Sequence, residues 1–248
     1  MKASFQADGD VIVVTGGGNG IGRALARAAA RVGARVVICD VDQAAMTETK
    51  GDDKNIACER LDVSDRDAVL TTFGRIEHDH GRIDGLVCCA AIQPRHLVAD
   101  TPPEEWRRVM AVNLDGVVWC YQAVIKGMVA RRRGSIVAFS SGLAHQGWPQ
   151  ASAYAATKGA LIAFAKSAAK EVAPHRVKFN LIAPGVIDTL QYRAANQGAD
   201  HESWRNSIGV GVPEDVVGPL LFLLSDAATM TASVLSRDFA YSAQDNRT

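Results

Sequence analysis

A glycine-rich turn between a buried strand and a helix is the feature that most constrains the fold of this chain. Residues 11–14 read Val-Ile-Val-Val, a short β-branched run typical of a strand buried on both faces. The turn Thr15–Gly22 follows, and apolar residues then recur at three-to-four spacing as far as Val32. A second strand-like run, Arg35–Asp40, completes a βαβ unit. Such a unit predicts parallel pairing of the two strands through a right-handed crossover.

The same alternation of strand and helix patterns continues along the chain. Further strands are predicted at 55–61, 83–90, 135–140, 177–182 and 234–239, and helices at 65–80, 154–172 and 215–224. Residues 104–132 are predicted to form one long helix or two shorter ones. The alternation predicts one α/β domain over residues 1–248, with a Rossmann-type, doubly wound, mostly parallel sheet of seven strands flanked by helices. The polar, irregular segment Asp188–Gly211 is longer than most connections and is predicted to be a substrate-binding lid.

Composition and charge exclude several classes of protein. The chain carries 27 basic and 27 acidic side chains, so it lacks the basic excess that a nucleic-acid partner requires. Its polar first residues and the lack of any long apolar run predict neither a signal peptide nor a transmembrane helix. The number of cysteines, five, is odd, and no two of them show Cys-x-x-Cys spacing. The sequence therefore predicts neither a disulfide framework nor a metal site. Free cysteines indicate a reducing compartment, the cytoplasm.

The glycine turn has the properties of a dinucleotide site. Gly16, Gly20 and Gly22 leave backbone N–H groups and the start of a helix open to a pyrophosphate. Asp40 ends the second strand, where a carboxylate can accept hydrogen bonds from both hydroxyls of the adenosine ribose. This carboxylate would repel a 2′-phosphate, and Asn19 stands where a cation would help to bind one. The turn therefore predicts a bound dinucleotide, with NAD favoured over NADP.

A tyrosine and a lysine one helical turn apart suggest proton chemistry. Tyr154 and Lys158 lie on one face of the predicted helix. A phenol titrates near pH 10, and a neighbouring ammonium group lowers that pKa. Tyr154 can then exchange a proton with an alcohol oxygen while hydride moves to the cofactor. Ser141 follows the fifth strand, at the sheet edge where ligands of such folds bind, and its hydroxyl can hold the substrate oxygen.

Together these residues resemble the short-chain dehydrogenase/reductase family, in its single-domain branch. The resemblance implies that Asn113, in the segment Val112–Leu114, holds a water molecule of a proton relay. It also implies that Asp62 and Val63 contact adenine. The residues predicted to bind the cofactor are Gly16, Asn19, Gly20, Ile21, Gly22, Asp40, Asp62, Val63, Ala90, Tyr154, Lys158, Pro184, Gly185, Ile187 and Thr189. The family further implies a homo-oligomer, a tetramer or a dimer.

The chain departs from the family pattern at two places. The Asn-Asn-Ala-Gly expected at the fourth strand is replaced by Cys88–Ala91, which puts a methyl group near the adenosine ribose. We expect the dinucleotide still to bind beside this segment, with lower affinity. Near the end of the chain, Ala232, Phe239 and Ala240 replace family glycines. Tight turns with positive φ would be strained by these residues.

The predicted function is the reversible NAD-dependent oxidation of a secondary alcohol to a ketone. Asn113, Ser141, Tyr154 and Lys158 are the predicted catalytic residues, and Ser141, His145, Trp148 and Tyr154 are the predicted substrate contacts. Gln93, His96, Tyr192 and Trp204 are further candidates for the pocket lining. Such an aromatic lining fits a medium-sized, largely apolar substrate.

Two alternatives to this function stay open. One is an NADPH-dependent ketoreductase such as a 3-oxoacyl reductase, against which Asp40 argues. The other is a non-catalytic dinucleotide sensor or scaffold, which has no need of Tyr154 and Lys158 together.

Overall fold

Seven strands form one parallel sheet in the computed structural model, which describes residues 4–198, 204 and 209–237. In sequence order the strands are β1 (Val11–Thr15), β2 (Arg35–Asp40), β3 (Ile56–Arg60), β4 (Gly85–Cys88), β5 (Gly134–Phe139), β6 (Val177–Ala183), β7 (Val186–Ile187), β8 (Val210–Gly211) and β9 (Val234–Ser236). The sheet order is β3-β2-β1-β4-β5-β6-β9, and β7 pairs separately with β8. The strand order reverses between β1 and β4, which opens a crevice at the carboxyl ends of the strands.

Helices cover both faces of the sheet, as the doubly wound prediction requires. They are α1 (Gly20–Arg31), α2 (Gln43–Lys50), α3 (Arg66–His80), α4 (Pro103–Met110), α5 (Gly116–Arg131), α6 (Leu143–Gln146), α7 (Ser152–Val172), α8 (Leu190–Ala195) and α9 (Val217–Leu224). Val13 of β1 belongs to a core shared with α3, α5 and α7, whereas its neighbours Ile12 and Val14 belong to a core shared with α1, α2 and α9. Successive side chains of a strand point to opposite faces, so each face buries its own apolar cluster.

Two parts of the chain differ from the sequence prediction, and a third decides between its alternatives. Helix α2 was not predicted; its first turn is capped by the Asp42 side chain, which accepts a hydrogen bond from the Ala45 N–H. Residues 104–132, predicted to form one long helix or two shorter ones, form two, because a π-helical turn, Ala111–Asp115, separates α4 from α5. The segment predicted as an irregular lid contains α8, and the β7–β8 pair joins its two ends.

The predicted strain near the end of the chain is present at Ala232. Its φ is +60°, in the left-handed region where a Cβ is disfavoured by about 1–2 kcal/mol. The strand that follows, β9, still forms and pairs with β6. The Asn180 side chain stabilises the turn before it. Its Nδ2 donates to the Met230 carbonyl at 2.9 Å, and its Oδ1 accepts from the Ser233 N–H at 3.1 Å. Phe239 and Ala240 lie outside the described residues.

Within the described part of the chain, no helix is both long enough and apolar enough to cross a membrane.

Candidate active site

A cleft of about 590 Å³ lies at the carboxyl edge of the sheet. It brings together sixteen of the predicted site residues: Gly16, Asn19, Gly20, Ile21, Asp40, Asp62, Val63, Ala90, Ser141, Trp148, Tyr154, Lys158, Pro184, Gly185, Ile187 and Thr189. Three predicted residues, Gly22, Asn113 and His145, do not line it. The cleft therefore joins the glycine turn and the Tyr154–Lys158 pair in one continuous space.

The glycine turn is shaped by close backbone contacts. Gly16 has a φ of +68°, and a Cβ placed on it would lie 2.7 Å from the backbone nitrogen of Ala90. A Cβ on Gly22 would lie 2.2 Å from the carbonyl oxygen of Gly16. Gly22 thus lets α1 pack directly onto the turn, although it does not face the cleft. These contacts leave room only for glycine at both positions.

The N-terminus of α1 is available to an anion. Its N-cap residue, Asn19, makes no side-chain capping hydrogen bond, and the first turn of the helix holds no acidic residue. The Asn19 Oδ1 instead accepts a hydrogen bond from Arg23 at 3.1 Å. Free N–H groups and the positive end of the helix dipole attract a phosphate group. The residues present therefore fit the pyrophosphate of a dinucleotide.

Two carboxylates also line the cleft: Asp40 at the end of β2, and Asp62 shortly after β3. The Asp40 side chain accepts hydrogen bonds from the N–H groups of Gly18 at 2.9 Å and of Asp42 at 3.1 Å. The Asp62 side chain accepts from the N–H of Ser64 at 2.9 Å and from its hydroxyl at 2.7 Å. Partial burial alone would raise the pKa of Asp62, but the Ser64 hydrogen bonds and the nearby charge of Arg108 lower it overall. Both side chains are held in place as hydrogen-bond acceptors facing the cleft.

The predicted catalytic side chains meet at the start of α7. Tyr154 lies in the first turn of this helix, and Lys158 follows one turn later with only 3% of its surface exposed. The Lys158 Nζ lies 5.4 Å from the centroid of the Tyr154 ring. Ser141, just beyond β5, lines the same cleft, and its hydroxyl accepts a hydrogen bond from the Leu143 N–H at 3.2 Å. The neighbouring Ser140 hydroxyl donates to the Lys158 carbonyl at 3.2 Å and ties the end of β5 to α7.

Burial dominates the titration of this pair. Burial raises the pKa of Tyr154 to about 12, against the opposing effects of the Ser141 hydroxyl and the positive charge of Arg95. Burial also lowers the pKa of Lys158 to about 8. The cation that acts on the pKa of the Tyr154 phenol here is Arg95, and the expectation that Lys158 lowers this pKa stays a prediction. At neutral pH the phenol is therefore protonated and able to donate.

Asn113 lies behind the cleft, in the π-helical turn. It is fully buried; its Oδ1 accepts from the Ile92 N–H at 2.8 Å, and its Nδ2 donates to the Ile92 carbonyl at 2.9 Å. The same Nδ2 lies 3.4 Å from the hydroxyl of Thr157, the residue before Lys158. Asn113 thus joins the loop after β4 to α7, and its part in a proton relay stays a prediction. π-Helical turns often occur at functional sites.

The substrate end of the cleft differs from the prediction in its details. His145 is exposed on α6 and lies outside the lining, whereas Trp148 does line the cleft with about half of its surface exposed. The ring centroids of Trp148 and Trp204 are 5.8 Å apart, edge to face. Gln93, Tyr192 and Trp204 line the cleft as expected, and His96 does not.

Arg95 also lines this end and was missed as a site residue. The available signal was its position. It is a charged residue shortly after an apolar strand, on the side of a parallel sheet where ligands bind.

Comparison with known proteins agrees with this geometry. The family described as short chain dehydrogenase matches residues 10–200. A 3-oxoacyl-[acyl-carrier-protein] reductase of Chlamydia pneumoniae is 34% identical over 238 residues, which cover 93% of this chain and 96% of that protein. The crystal structure of gox2181 superimposes with a TM-score of 0.87 at 31% identity, covering 95% of both chains. That of levodione reductase gives 0.83 at 28% identity, covering 94% of this chain and 98% of the other.

The chain belongs to the short-chain dehydrogenase family. It is accordingly an oxidoreductase that uses a nicotinamide dinucleotide and acts on a small molecule.

Proposed function

We propose that this protein catalyses the reversible, NAD-dependent oxidation of a secondary alcohol to a ketone. The observation that carries this proposal is that Ser141, Tyr154 and Lys158 share one cleft with the glycine turn. A pure binding module would need only the turn. An oxidoreductase also needs a proton donor and acceptor beside the reacting carbon, and the start of α7 supplies one.

Each catalytic side chain has a distinct part in this reaction. The Ser141 hydroxyl holds the substrate oxygen, and the Tyr154 phenol gives a proton to that oxygen or takes one from it. The Lys158 ammonium favours the phenolate and holds the ribose hydroxyls of the cofactor. The nicotinamide ring, when bound, accepts or supplies the hydride. Because burial keeps the Tyr154 phenol protonated at neutral pH, the protein's own groups favour donation to a ketone oxygen.

Asp40 supports NAD over NADP. Asp40 lines the cleft at the end of β2, and a carboxylate at this position of a dinucleotide-binding fold would repel a 2′-phosphate. Arg23, whose side chain contacts the glycine turn, is already engaged: its guanidinium donates to Asn19 and Gly18 and pairs with Glu48. Glu48 neutralises this arginine, so little positive charge is left for an extra phosphate.

The similarity to a 3-oxoacyl-[acyl-carrier-protein] reductase favours one alternative, an NADPH-dependent ketoreductase. Titration of the protein with NADH and with NADPH, followed by fluorescence, separates the two. We expect NADH to bind at least about 10-fold more tightly, which corresponds to a cost of about 1.4 kcal/mol or more for a 2′-phosphate beside the Asp40 carboxylate. Tighter binding of NADPH would favour the alternative.

The direct test of the proposal is a panel of secondary alcohols with NAD, followed at the NADH absorbance. Tyr154→Phe removes only the phenolic oxygen, so we expect turnover to fall by about 100-fold to 10,000-fold while NADH binding stays within about 2-fold. Activity retained in this variant would refute the assignment of Tyr154. If the wild type transfers hydride from no alcohol and to no ketone, the sensor or scaffold alternative gains support.

We also propose that residues 188–211 act as a lid over the substrate and that the protein is a cytoplasmic homo-oligomer, a tetramer or a dimer. The lid is supported by α8, whose residue Leu190 lines the cleft. The cytoplasmic location is supported by the five cysteines, which are all free. Light scattering in solution and cell fractionation test the assembly and the location.

A further inference from the structure

The two ends of the cleft differ in charge. Among the described residues that line it, the carboxylates are Asp40 and Asp62, and both stand at the adenosine end. A lining cation of that end, Arg108, lies 3.9 Å from Asp62 and is therefore compensated. The other lining cations are Lys158, which the proposed function assigns to the cofactor, and Arg95 at the substrate end, and no described residue of that end is acidic. Within the described residues, the substrate end therefore presents a positive charge that no carboxylate balances.

Arg95 is held in place by neutral groups. Its Nε donates to the Ala195 carbonyl at 3.1 Å, and one terminal nitrogen, Nη2, donates to the Asn196 side-chain oxygen at 2.9 Å. The other, Nη1, is buried and has no hydrogen-bond partner within the described ranges. Burying an unpaired polar group, and still more a charged one, is unfavourable. The side chain is therefore positioned, but its charge and one of its nitrogens are left unsatisfied.

This guanidinium lies close to the reacting groups. Arg95 and Tyr154 line the same cleft, and the Arg95 charge acts on the Tyr154 phenol. A substrate whose oxygen sits at Ser141 and Tyr154 would extend past Arg95 towards the aromatic wall formed by Trp148, Tyr192 and Trp204. An anionic group on such a substrate would meet the unsatisfied nitrogen.

Resting on the proposed function, we propose that Arg95 binds a carboxylate of the substrate, so that the protein acts on hydroxy acids and keto acids in preference to neutral alcohols and ketones. The planar guanidinium suits a carboxylate because its N–H groups match the two oxygens. The pairing would satisfy Nη1 and compensate the charge that the protein leaves open. The sequence predicted a largely apolar substrate. The proposed carboxylate contact refines this prediction to a substrate with an apolar body and a negatively charged end.

The test compares matched substrates in matched variants. Short 2- and 3-hydroxy acids are assayed with NAD beside their amides, which keep the shape and lose the charge. We expect wild-type kcat/KM to be at least about 10-fold higher for the acids. Arg95→Met should lower kcat/KM for the acids by about 10-fold to 150-fold and for the amides by less than about 3-fold. Arg107→Met, an exposed arginine of α4 outside the cleft, is the control and should change neither value.

A second variant separates charge from architecture. Arg95→Lys keeps the cation but not the fork geometry, so we expect it to recover part of the preference for acids that Arg95→Met loses. Equal losses on acids and amides in Arg95→Met would overturn the proposal, because Arg95 would then serve only to hold α8 through Ala195 and Asn196. Equal turnover of acids and amides by the wild type would overturn it too, while leaving the proposed function intact.

If the wild type oxidises neither acids nor amides, the proposed function fails and Arg95 is tested by binding alone. Thermal unfolding is followed with NADH present and a 2-keto acid or its amide added. Stabilisation by the acid in the wild type and in Arg107→Met, lost in Arg95→Met, supports the carboxylate site. No stabilisation, or equal stabilisation in Arg95→Met, overturns it.

Discussion

The two ends of the cleft are built in different ways. The cofactor end is made largely of backbone: Gly16, Gly20 and Gly22 bring the turn against neighbouring main chain, and the first N–H groups of α1 are left free. The substrate end is made of side chains from separate segments, such as Arg95 and Asn196, which are 101 positions apart. A backbone-built site tolerates little change, whereas a side-chain-built site can change its ligand without changing the fold.

Among the substitutions that test this difference between the two ends, Gly16→Ala should have the largest effect. The added Cβ would lie 2.7 Å from the Ala90 nitrogen and 2.9 Å from the Cys89 carbonyl carbon, and the φ of +68° disfavours any side chain. We expect the free energy of unfolding to fall by about 4 kcal/mol, from overpacking and left-handed strain together. NADH affinity should also fall by at least about 10-fold, because the turn must shift. Urea unfolding and NADH fluorescence measure the two effects.

Gly74→Ala is the control for that substitution. Gly74 lies in the middle of α3, is exposed, and a Cβ on it would meet no atom within 4 Å. Alanine favours a helix over glycine, so this variant should be slightly more stable and bind NADH normally. If Gly16→Ala behaved in the same way, the claim that close backbone contacts build the cofactor end would be wrong.

The second prediction concerns how far the buried catalytic lysine destabilises the folded state. Burial lowers the pKa of Lys158 from 10.5 to about 8, so the folded state releases this proton more readily than the unfolded state. Below about pH 8 both states hold the proton, and the buried ammonium destabilises the fold by on the order of 3 kcal/mol. Between pH 8 and 10.5 the folded state is neutral and the unfolded state still charged, so stability from this group rises with pH.

Lys158→Met should therefore be inactive and yet more stable at pH 7, by up to about 3 kcal/mol. Its advantage over the wild type should shrink as the pH rises towards 10, because the wild-type lysine is by then neutral in the folded state. Denaturant unfolding at pH 7, 8 and 9.5 checks both the sign and the trend. A variant less stable than the wild type at pH 7, or a gap that widens with pH, would contradict the burial argument. The comparison shows whether the catalytic side chains, unlike the glycine turn, oppose folding.

The same contrast explains what could be predicted from the sequence. The glycine turn, Asp40 and the Tyr154–Lys158 pair are contiguous or sit at strand and helix ends, so periodicity and spacing locate them. The parallel, doubly wound sheet followed from the alternation of strand and helix patterns. Helix α2 was missed because its eight residues are mostly polar, although Asp42 before it and Gly51 after it are capping residues.

The substrate end could not be predicted in this way. The contact of Arg95 with Ala195 and Asn196 depends on how two distant loops meet, and no local pattern records it. The effect of burial on Tyr154 likewise depends on everything packed around α7, whereas helical spacing shows only that Lys158 is near. His145 is exposed because of the orientation of the short helix α6. A helix of four residues is too short for its sequence pattern to predict that orientation.

The smallest effect is predicted for Ala232→Gly. This substitution separates the two causes of the stability loss in Gly16→Ala, which are the close contact with Ala90 and the positive φ. Ala232 adopts a φ of +60°, close to that of Gly16, yet its turn forms and β9 pairs with β6. The fold therefore tolerates an alanine in this conformation at this turn. Ala232→Gly relieves left-handed strain of about 1–2 kcal/mol but loses up to about 1 kcal/mol through the greater freedom of glycine in the unfolded chain.

We expect Ala232→Gly to stabilise the protein by about 0.5 kcal/mol, with NADH affinity unchanged. Thermal and urea unfolding measure the first, and fluorescence titration the second. A gain this small assigns most of the Gly16→Ala loss to the contact with Ala90 rather than to φ. A gain approaching 4 kcal/mol would reverse that assignment, because backbone strain by itself would then account for the cofactor end.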